Sequence, residues 1–163
     1  MNNVLALDLS YSNTGWAACS DGVIECGKQA FGLWWLKPAG KRIVCNAGTR
    51  FYWFERWLYE IIDTQNPSLI IVERAHLRGW EPTQCGVGLG TRVEQACATR
   101  GIVFESLHSG TLKKYATGNG NAKKPQMQAA AKARYNFYHP EEDEGGDIAD
   151  ALHLLAYAME KNK

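Results

Sequence analysis

The chain has 163 residues, 45% hydrophobic and 21% charged, and 18 Lys plus Arg against 17 Asp plus Glu leave a formal net charge of +1. This composition excludes collagen-like, disordered and disulfide-scaffold classes, and the longest aliphatic stretch, at 69–72, is far too short to span a bilayer. The expectation is one globular domain over 1–163, with no membrane partner and enough length to bury a core.

Residues 3–9 form a short apolar run in which one acid, Asp8, sits among aliphatic neighbours, and 14–19 and 23–31 read as two further strands. Asp21-Gly22 between them is a hairpin signal. Residues 32–40 read as a loop carrying Trp34 and Trp35. From Lys41 to Gln65, Phe51, Phe54, Leu58, Ile61 and Ile62 recur at helical spacing, and Trp53 and Trp57 widen the stripe as core-packing residues. Residues 68–72 are a continuous apolar run of strand length that ends in Glu73.

A loop with His76, Arg78, Trp80 and Pro82 follows, then a helix over 84–100 in spite of Gly86, Gly88 and Gly90. Residues 102–105 read as a fourth apolar strand and 109–115 as a short helix capped by Ser109. Residues 118–121, Gly-Asn-Gly-Asn, read as a flexible loop, followed by a helix over about 123–137 and, after Gly145-Gly146, a last helix over about 147–160. This order predicts an α/β fold with a mixed central β-sheet flanked by α-helices.

The net charge hides two blocks of opposite sign. Residues 109–135 hold Lys113, Lys114, Lys123, Lys124, Lys132 and Arg134 and no acid, whereas 139–150 hold Glu141, Glu142, Asp143, Glu144, Asp147 and Asp150 and no Lys or Arg. The pattern fits either two solvated surfaces or a polyanion contact beside a cation site. Cys19, Cys26, Cys45, Cys85 and Cys97 form no CxxC pair and stand at no metal-ligand spacing from a histidine, so a zinc site is not expected. Their odd number and the lack of a leader before the first strand fit free thiols in a cytoplasm.

Asp8 and Glu73 each end or nearly end an apolar strand, where a lone carboxylate meets a desolvation cost unless it is paired or bound to a cation. Asp147 and Asp150, three apart on the last helix, share one side of it. Four acids on three core-forming segments suggest an oxygen-only site for Mg²⁺, or Mn²⁺ in its place. Two such ions clamp a phosphodiester, and Lys113 and Lys124 are candidates to stabilise the charge that develops there.

ALDLSYSNTGWA, LIIVERA, VFESLHSGTLKKYATGNGNAKKPQMQAAA and DIADALHLLAYA occur in the order and spacing of RuvC-type Holliday junction resolvases, nucleases of the RNase H-like superfamily, which the chain resembles over nearly its whole length. The resemblance implies that Asp8, Glu73, Asp147 and Asp150 are catalytic and hold two metal ions per active site, with Lys113 and Lys124 at its margin. It implies a homodimer that binds four-way DNA junctions and other branched DNA and cuts two opposed strands symmetrically, with branch migration left to partners. Lys114, Lys123, Lys132, Arg78, His76 and Trp80 are the expected further DNA contacts, Trp80 or His76 by stacking on a base. The family dimerises through the helix matching 84–100, where close approach would account for Gly86 and Gly90.

Two departures stand out: Ser10 occupies a place that is usually glycine in the family, and His76 one that is aromatic in well-studied members. The short, divergent chain points to a phage or mobile-element version acting in a bacterial host cytoplasm. Three other readings remain open: an RNA-processing nuclease of the related YqgF type, a non-catalytic junction-binding protein, and the actin-like fold, whose two lobes need roughly twice this length.

Overall fold

The computed structural model describes residues 3–10, 13–31, 47–74 and 80–162, with backbone alone at 47 and 80–82. The elements are β1 (Val4–Asp8), β2 (Asn13–Ser20), β3 (Val23–Ala30), α1 (Ala47–Gln65), β4 (Leu69–Glu73), α2 (Trp80–Arg100), β5 (Val103–Leu107), α3 (Ser109–Thr117), α4 (Lys124–Arg134) and α5 (Asp147–Lys161), with a 3₁₀ turn at Pro140–Glu142. The strands form one sheet in the order β3-β2-β1-β4-β5. β1 pairs antiparallel with β2 and β2 with β3, while β4 lies parallel to β1 and β5 parallel to β4. The Asp21-Gly22 hairpin forms as expected, with φ of 51° and 84° at its two central residues.

β1 and β4 are the central strands, and each buries four consecutive residues because helices cover both faces of the sheet. Alternation divides their side chains between two cores. Val4, Ala6, Leu69 and Ile71 meet residues of α3, α4 and α5 on one face. Leu5, Leu7, Ile70 and Val72 meet Phe54, Leu58 and Val93 of α1 and α2 on the other. α5 is buried almost all round, through Ala149, Ala151, Leu152, His153, Leu154, Leu155, Ala156 and Ala158, since it lies between the sheet and the α3–α4 pair. The buried His153 donates from Nε2 to the Met127 carbonyl at 2.9 Å, and burial lowers its pKa, so it acts as a neutral tie between α4 and α5.

Five expectations shift on folding, the first being the cap of α3, which is His108, accepting the Gly110 N–H on Nδ1 at 3.1 Å, rather than Ser109, which is the first residue of the helix. α2 begins at Trp80 rather than 84, because Pro82 falls in its first turn, where no N–H is required. α4 ends at Arg134 rather than near 137: Tyr135 turns extended and its N–H closes on the Ala131 carbonyl at 2.8 Å. β5 runs on to Leu107, the register partner of Glu73. Residues 118–121 are a hydrogen-bonded turn rather than a loose loop, with the Gly118 N–H on the Lys114 carbonyl at 2.8 Å and the Asn121 N–H on Asn119 Oδ1 at 3.0 Å. The expected start of α1 at 41, and Trp34 and Trp35, lie outside the described residues.

Trp53 and Trp57 are half-buried against the α1–α2 core. Cys19, Cys26, Cys85 and Cys97 are free thiols. Among the described residues, no helix is long and apolar enough to cross a membrane.

Candidate active site

Strand alternation aims the first two acids. Asp8 follows Val4 and Ala6 on one face of β1, and Glu73 follows Leu69 and Ile71 on the same face of β4. The two strands are parallel neighbours, with Leu7 opposite Val72, so the carboxylates leave adjacent strand ends toward the side that α5 covers. The first two turns of α5 supply Asp147 and Asp150. Three elements distant in sequence thus bring four carboxylates together.

Their seating depends on two glycines. Gly15 of β2 is the register partner of Asp8, and a Cβ there would overlap the Asp147 carbonyl, so α5 can rest on β2 only where the side chain is absent. Gly146 precedes α5 with φ +75°, and a Cβ on it would stand 3.0 Å from Cγ of Lys124, whose stem lies across it. Lys124 is the first residue of α4.

A third determinant is Asp143, which is fully buried. Its carboxylate accepts from the Ile148 N–H at 3.2 Å, the Ala149 N–H at 3.0 Å and the Tyr138 hydroxyl at 2.8 Å. Its main-chain carbonyl accepts from Gln128 Nε2 at 2.6 Å. Asp143 therefore caps α5 from outside the helix, in place of Gly146, which has no side chain to do so. Within the acidic segment, Glu141, Glu142 and Glu144 are exposed while Asp143 anchors the helix.

The four acids crowd one another electrostatically. Burial, then the charges of Asp150, Glu73, Asp147 and Asp143, hold the Asp8 carboxyl well above its ordinary pKa. Burial and Glu73 push Asp150 up to about 7, against the pull of Lys113. Asp147 is raised by burial and by Asp143, while Lys28 and Lys124 draw it down. Lys113 and Lys124 therefore act on the carboxylates from α3 and α4, and Lys28 of β3, opposite Gly15 in register, acts from the other side. Ser10 bonds through its hydroxyl to the Asn13 carbonyl and, at 3.3 Å, to the Asn13 N–H, so it ties the β1–β2 connection beside Asp8.

The other expected contacts divide. Lys114 and Lys123 are exposed on the α3–α4 side, at α3 and just before α4. Lys132 instead donates to the Asn136 carbonyl at 2.7 Å, and Arg134 binds the Tyr115 hydroxyl at 2.5 Å and Glu160 at 3.4 Å. His76 and Arg78 lie outside the described residues, and Trp80 opens the backbone of α2. Gly15, Lys28 and Asp143 escaped the sequence reading. A glycine in a strand is a weak sign of close backbone approach, and nothing local separates Lys28 or Asp143 from solvated charges.

Among the described residues, no three His, Cys, Asp or Glu side chains form a ready-made metal cage. Two observations nevertheless fit oxygen-ligated cations: the donors are all carboxylates, and the buried Oδ1 of Asp150 has no hydrogen-bond partner.

No family model matches the sequence, and no curated protein matches it. Solved structures do. Thermus thermophilus RuvC aligns at 15% identity over 93% of this chain and 90% of that one, with a TM-score of 0.66. T. thermophilus RuvC in complex with Holliday junction substrate aligns at 15% identity over 94% and 90%, with a TM-score of 0.70. The yeast mitochondrial Holliday junction resolvase Ydc2 aligns at 14% identity over 93% and 75%, with a TM-score of 0.61. At these identities the likeness is one of architecture: the chain has the RNase H-like fold of the RuvC structures.

Proposed function

We propose that the protein is a metal-dependent, structure-selective endonuclease that resolves four-way DNA junctions by paired symmetric cuts, working as a homodimer with one active site per chain. The observation that carries this reading is the meeting of Asp8, Glu73, Asp147 and Asp150 at one end of the sheet, with Lys113 and Lys124 beside them, on a fold shared with a RuvC bound to a Holliday junction. The four carboxylates would hold two Mg²⁺ or Mn²⁺ ions, which when bound supply activation of the attacking water and stabilisation of the leaving oxygen. Lys113 and Lys124 place positive charge where the phosphoryl oxygens gain negative charge.

Lys114 and Lys123 would contact the DNA backbone on the same side, and His76, Arg78 and Trp80, which follow Glu73 in the sequence, are proposed as further contacts, Trp80 or His76 by stacking on a base. Lys132 is a weaker candidate, because it is engaged at the C-terminal end of α4. The proposed dimer has room at α2. Gly88 is accounted for within the chain, since a Cβ there would overlap the Phe51 ring, but nothing stands within 4 Å of a Cβ at Gly90. Net charge near zero does not oppose a DNA partner, because ions bound by the four acids would leave the facing surface basic.

The test is cleavage of four-way junctions, forks, duplex DNA and structured RNA in Mg²⁺ by the parent protein and by Asp8→Asn. The parent should cut junctions as symmetric pairs. Asp8→Asn should lose on the order of a thousandfold in rate, several kcal/mol of transition-state stabilisation, while still binding the junction. A variant that cuts at the parent rate disproves the site, and a parent that cuts only RNA disproves the substrate.

A further inference from the structure

On the face of the sheet that α5 covers, β3 presents Ile24, Cys26 and Lys28 in turn. Ile24 and Cys26 are half-buried against the core there, whereas Lys28 is exposed. β3 runs in the direction of β1, since each is antiparallel to β2, so Lys28 stands at the end of the sheet that carries Asp8. In register Asp8, Gly15 and Lys28 form one row across three strands, with Lys28 two strand spacings, about 10 Å, from Asp8.

The middle of that row holds no side chain. A Cβ on Gly15 would overlap the Asp147 carbonyl, so the first residue of α5 rests on the backbone between Asp8 and Lys28. Burial and Asp143 raise the Asp147 pKa, and Lys28 and Lys124 are the bases that oppose the rise. These two lysines come from different directions: Lys124 heads α4, which packs against α5, and Lys28 belongs to the outermost strand.

Two plainer roles compete for Lys28. A lysine on an edge strand hinders pairing with other chains, and a lysine near a carboxylate serves as its counter-charge. The first does not depend on which end of the strand carries the lysine, yet the single base of β3 stands opposite Gly15, at the start of α5. The second lapses once cations occupy the carboxylates, because an ammonium beside a cation is then repelled unless an anion lies alongside. Nucleic-acid backbone supplies an anion at every nucleotide, and a strand whose phosphate reaches the four acids continues past them on both sides. Lys113 and Lys124 meet it on the side of α3 and α4, and Lys28 on the side of β3.

We propose that Lys28 is a phosphate-binding residue of the site: it holds a backbone phosphate flanking the one that is cut, so that the DNA strand crosses the first turn of α5 with lysines on either side. The proposal rests on the nuclease reading and adds to it the path of the strand, from α3 and α4 over the start of α5 to β3.

Binding of a four-way junction in Mg²⁺-free buffer tests it on the full chain, with Lys28→Ala and Lys28→Arg each checked for parent-like circular dichroism and melting. Lys28→Ala should bind about tenfold more weakly at low salt, near the lower end for a hydrogen bond to a charged group. Its log K should also fall less steeply with log salt, by about 0.9 for each chain bound. Lys28→Arg keeps the charge and should keep the parent's slope. Junctions carrying one uncharged methylphosphonate then locate the contact. At one position near the cut, loss of the phosphate charge should weaken the parent as much as Lys28→Ala does, and weaken Lys28→Ala no further. Unchanged affinity and slope in Lys28→Ala overturn the proposal and leave an edge lysine. An unchanged slope with a shifted Mg²⁺ midpoint for cleavage overturns it in favour of a counter-charge to Asp147. Methylphosphonates that weaken parent and Lys28→Ala alike at every position overturn it too. A parent that cuts no four-way junction in Mg²⁺, while Lys28→Ala lowers the salt slope, refutes the nuclease reading alone. One that cuts junctions, with the slope of Lys28→Ala unchanged, refutes the phosphate contact alone.

Discussion

The two ends of α5 carry the same kinds of residue in opposite states. At the far end, Glu160 meets Arg134, and Arg134 lies 5.0 Å over the Tyr115 ring and bonds its hydroxyl, so each charge has a partner at the surface. About 20 Å away, at the first turns, Asp147 and Asp150 face Asp8 and Glu73, burial raises the pKa of Asp150, and one of its oxygens is orphaned. The basic block of the sequence is split between these ends, with Lys113 and Lys124 at one and Lys132 and Arg134 at the other. Buried acids whose mutual repulsion outweighs the pull of nearby lysines store electrostatic strain, and a fold retains such a cluster when a cation or a reaction uses it. Paired acids at a surface contribute little to stability and mark no site.

Substitutions can break this contrast, and the largest effect is expected at Gly15. Gly15→Ala drives a methyl into the Asp147 carbonyl and should cost about 3 kcal/mol by displacing α5 from β2. The denaturant midpoint should fall sharply, and junction cleavage should fall with it.

Asp143→Ala comes next. It leaves two helix N–H groups and a buried hydroxyl without an acceptor, for a loss of about 2–3 kcal/mol in equilibrium unfolding. Asp143→Asn, which retains an acceptor oxygen, should recover part of that loss. Equal losses in the two variants would show that the carboxylate's hydrogen bonds do not hold the helix.

Stability as a function of pH gives a smaller and more specific signal. In protein kept in EDTA, Asp150 is raised from 3.8 to about 7 and Asp8 is raised as well, so the folded chain holds more protons than the unfolded one across that interval. The associated stability is present below the unfolded carboxylate pKa and is lost as pH rises toward 7, by at most about 1.4 kcal/mol per pH unit per group. The Tm should therefore fall between pH 4.5 and 7. Mg²⁺ should restore it at pH 7, and Asp150→Asn should flatten the slope. A Tm that rises over this interval would contradict the crowding of the acids.

The smallest effect belongs to the satisfied end. Arg134→Ala should change stability by about 0.5–1 kcal/mol and leave cleavage in Mg²⁺ within twofold of the parent. A loss of cleavage comparable to that of a carboxylate variant would mean that the two ends of α5 are coupled.

The local signals were easy to read wherever one interaction dominates. The aliphatic runs of β1 and β4, the Asp21-Gly22 turn and the apolar content of α5 follow from side-chain burial and backbone preference, which neighbours in the chain reveal. Asp8, Glu73, Asp147 and Asp150 stood out for the same reason, as acids set against core segments. Helix ends were read less well. Pro82 resembles a stop signal and sits inside the first turn of α2, and Tyr135 leaves α4 although its composition would let the helix continue.

By itself, then, the sequence determined the strands and helices, the two faces of each central strand and the four acids that border them, because burial of an alternating or helical pattern is a local property. Only the tertiary structure decided which charges meet. It assigned Asp143 to the α5 cap rather than to solvent, split the basic block between two ends of a helix, brought Lys28 to Asp147 and gave Gly15 a reason to be glycine. The Asp143 cap reaches N–H groups only five and six residues on, but the other outcomes join segments far apart in the chain, as Gly15 and Lys28 are from Asp147, and are set when the sheet and α5 pack together.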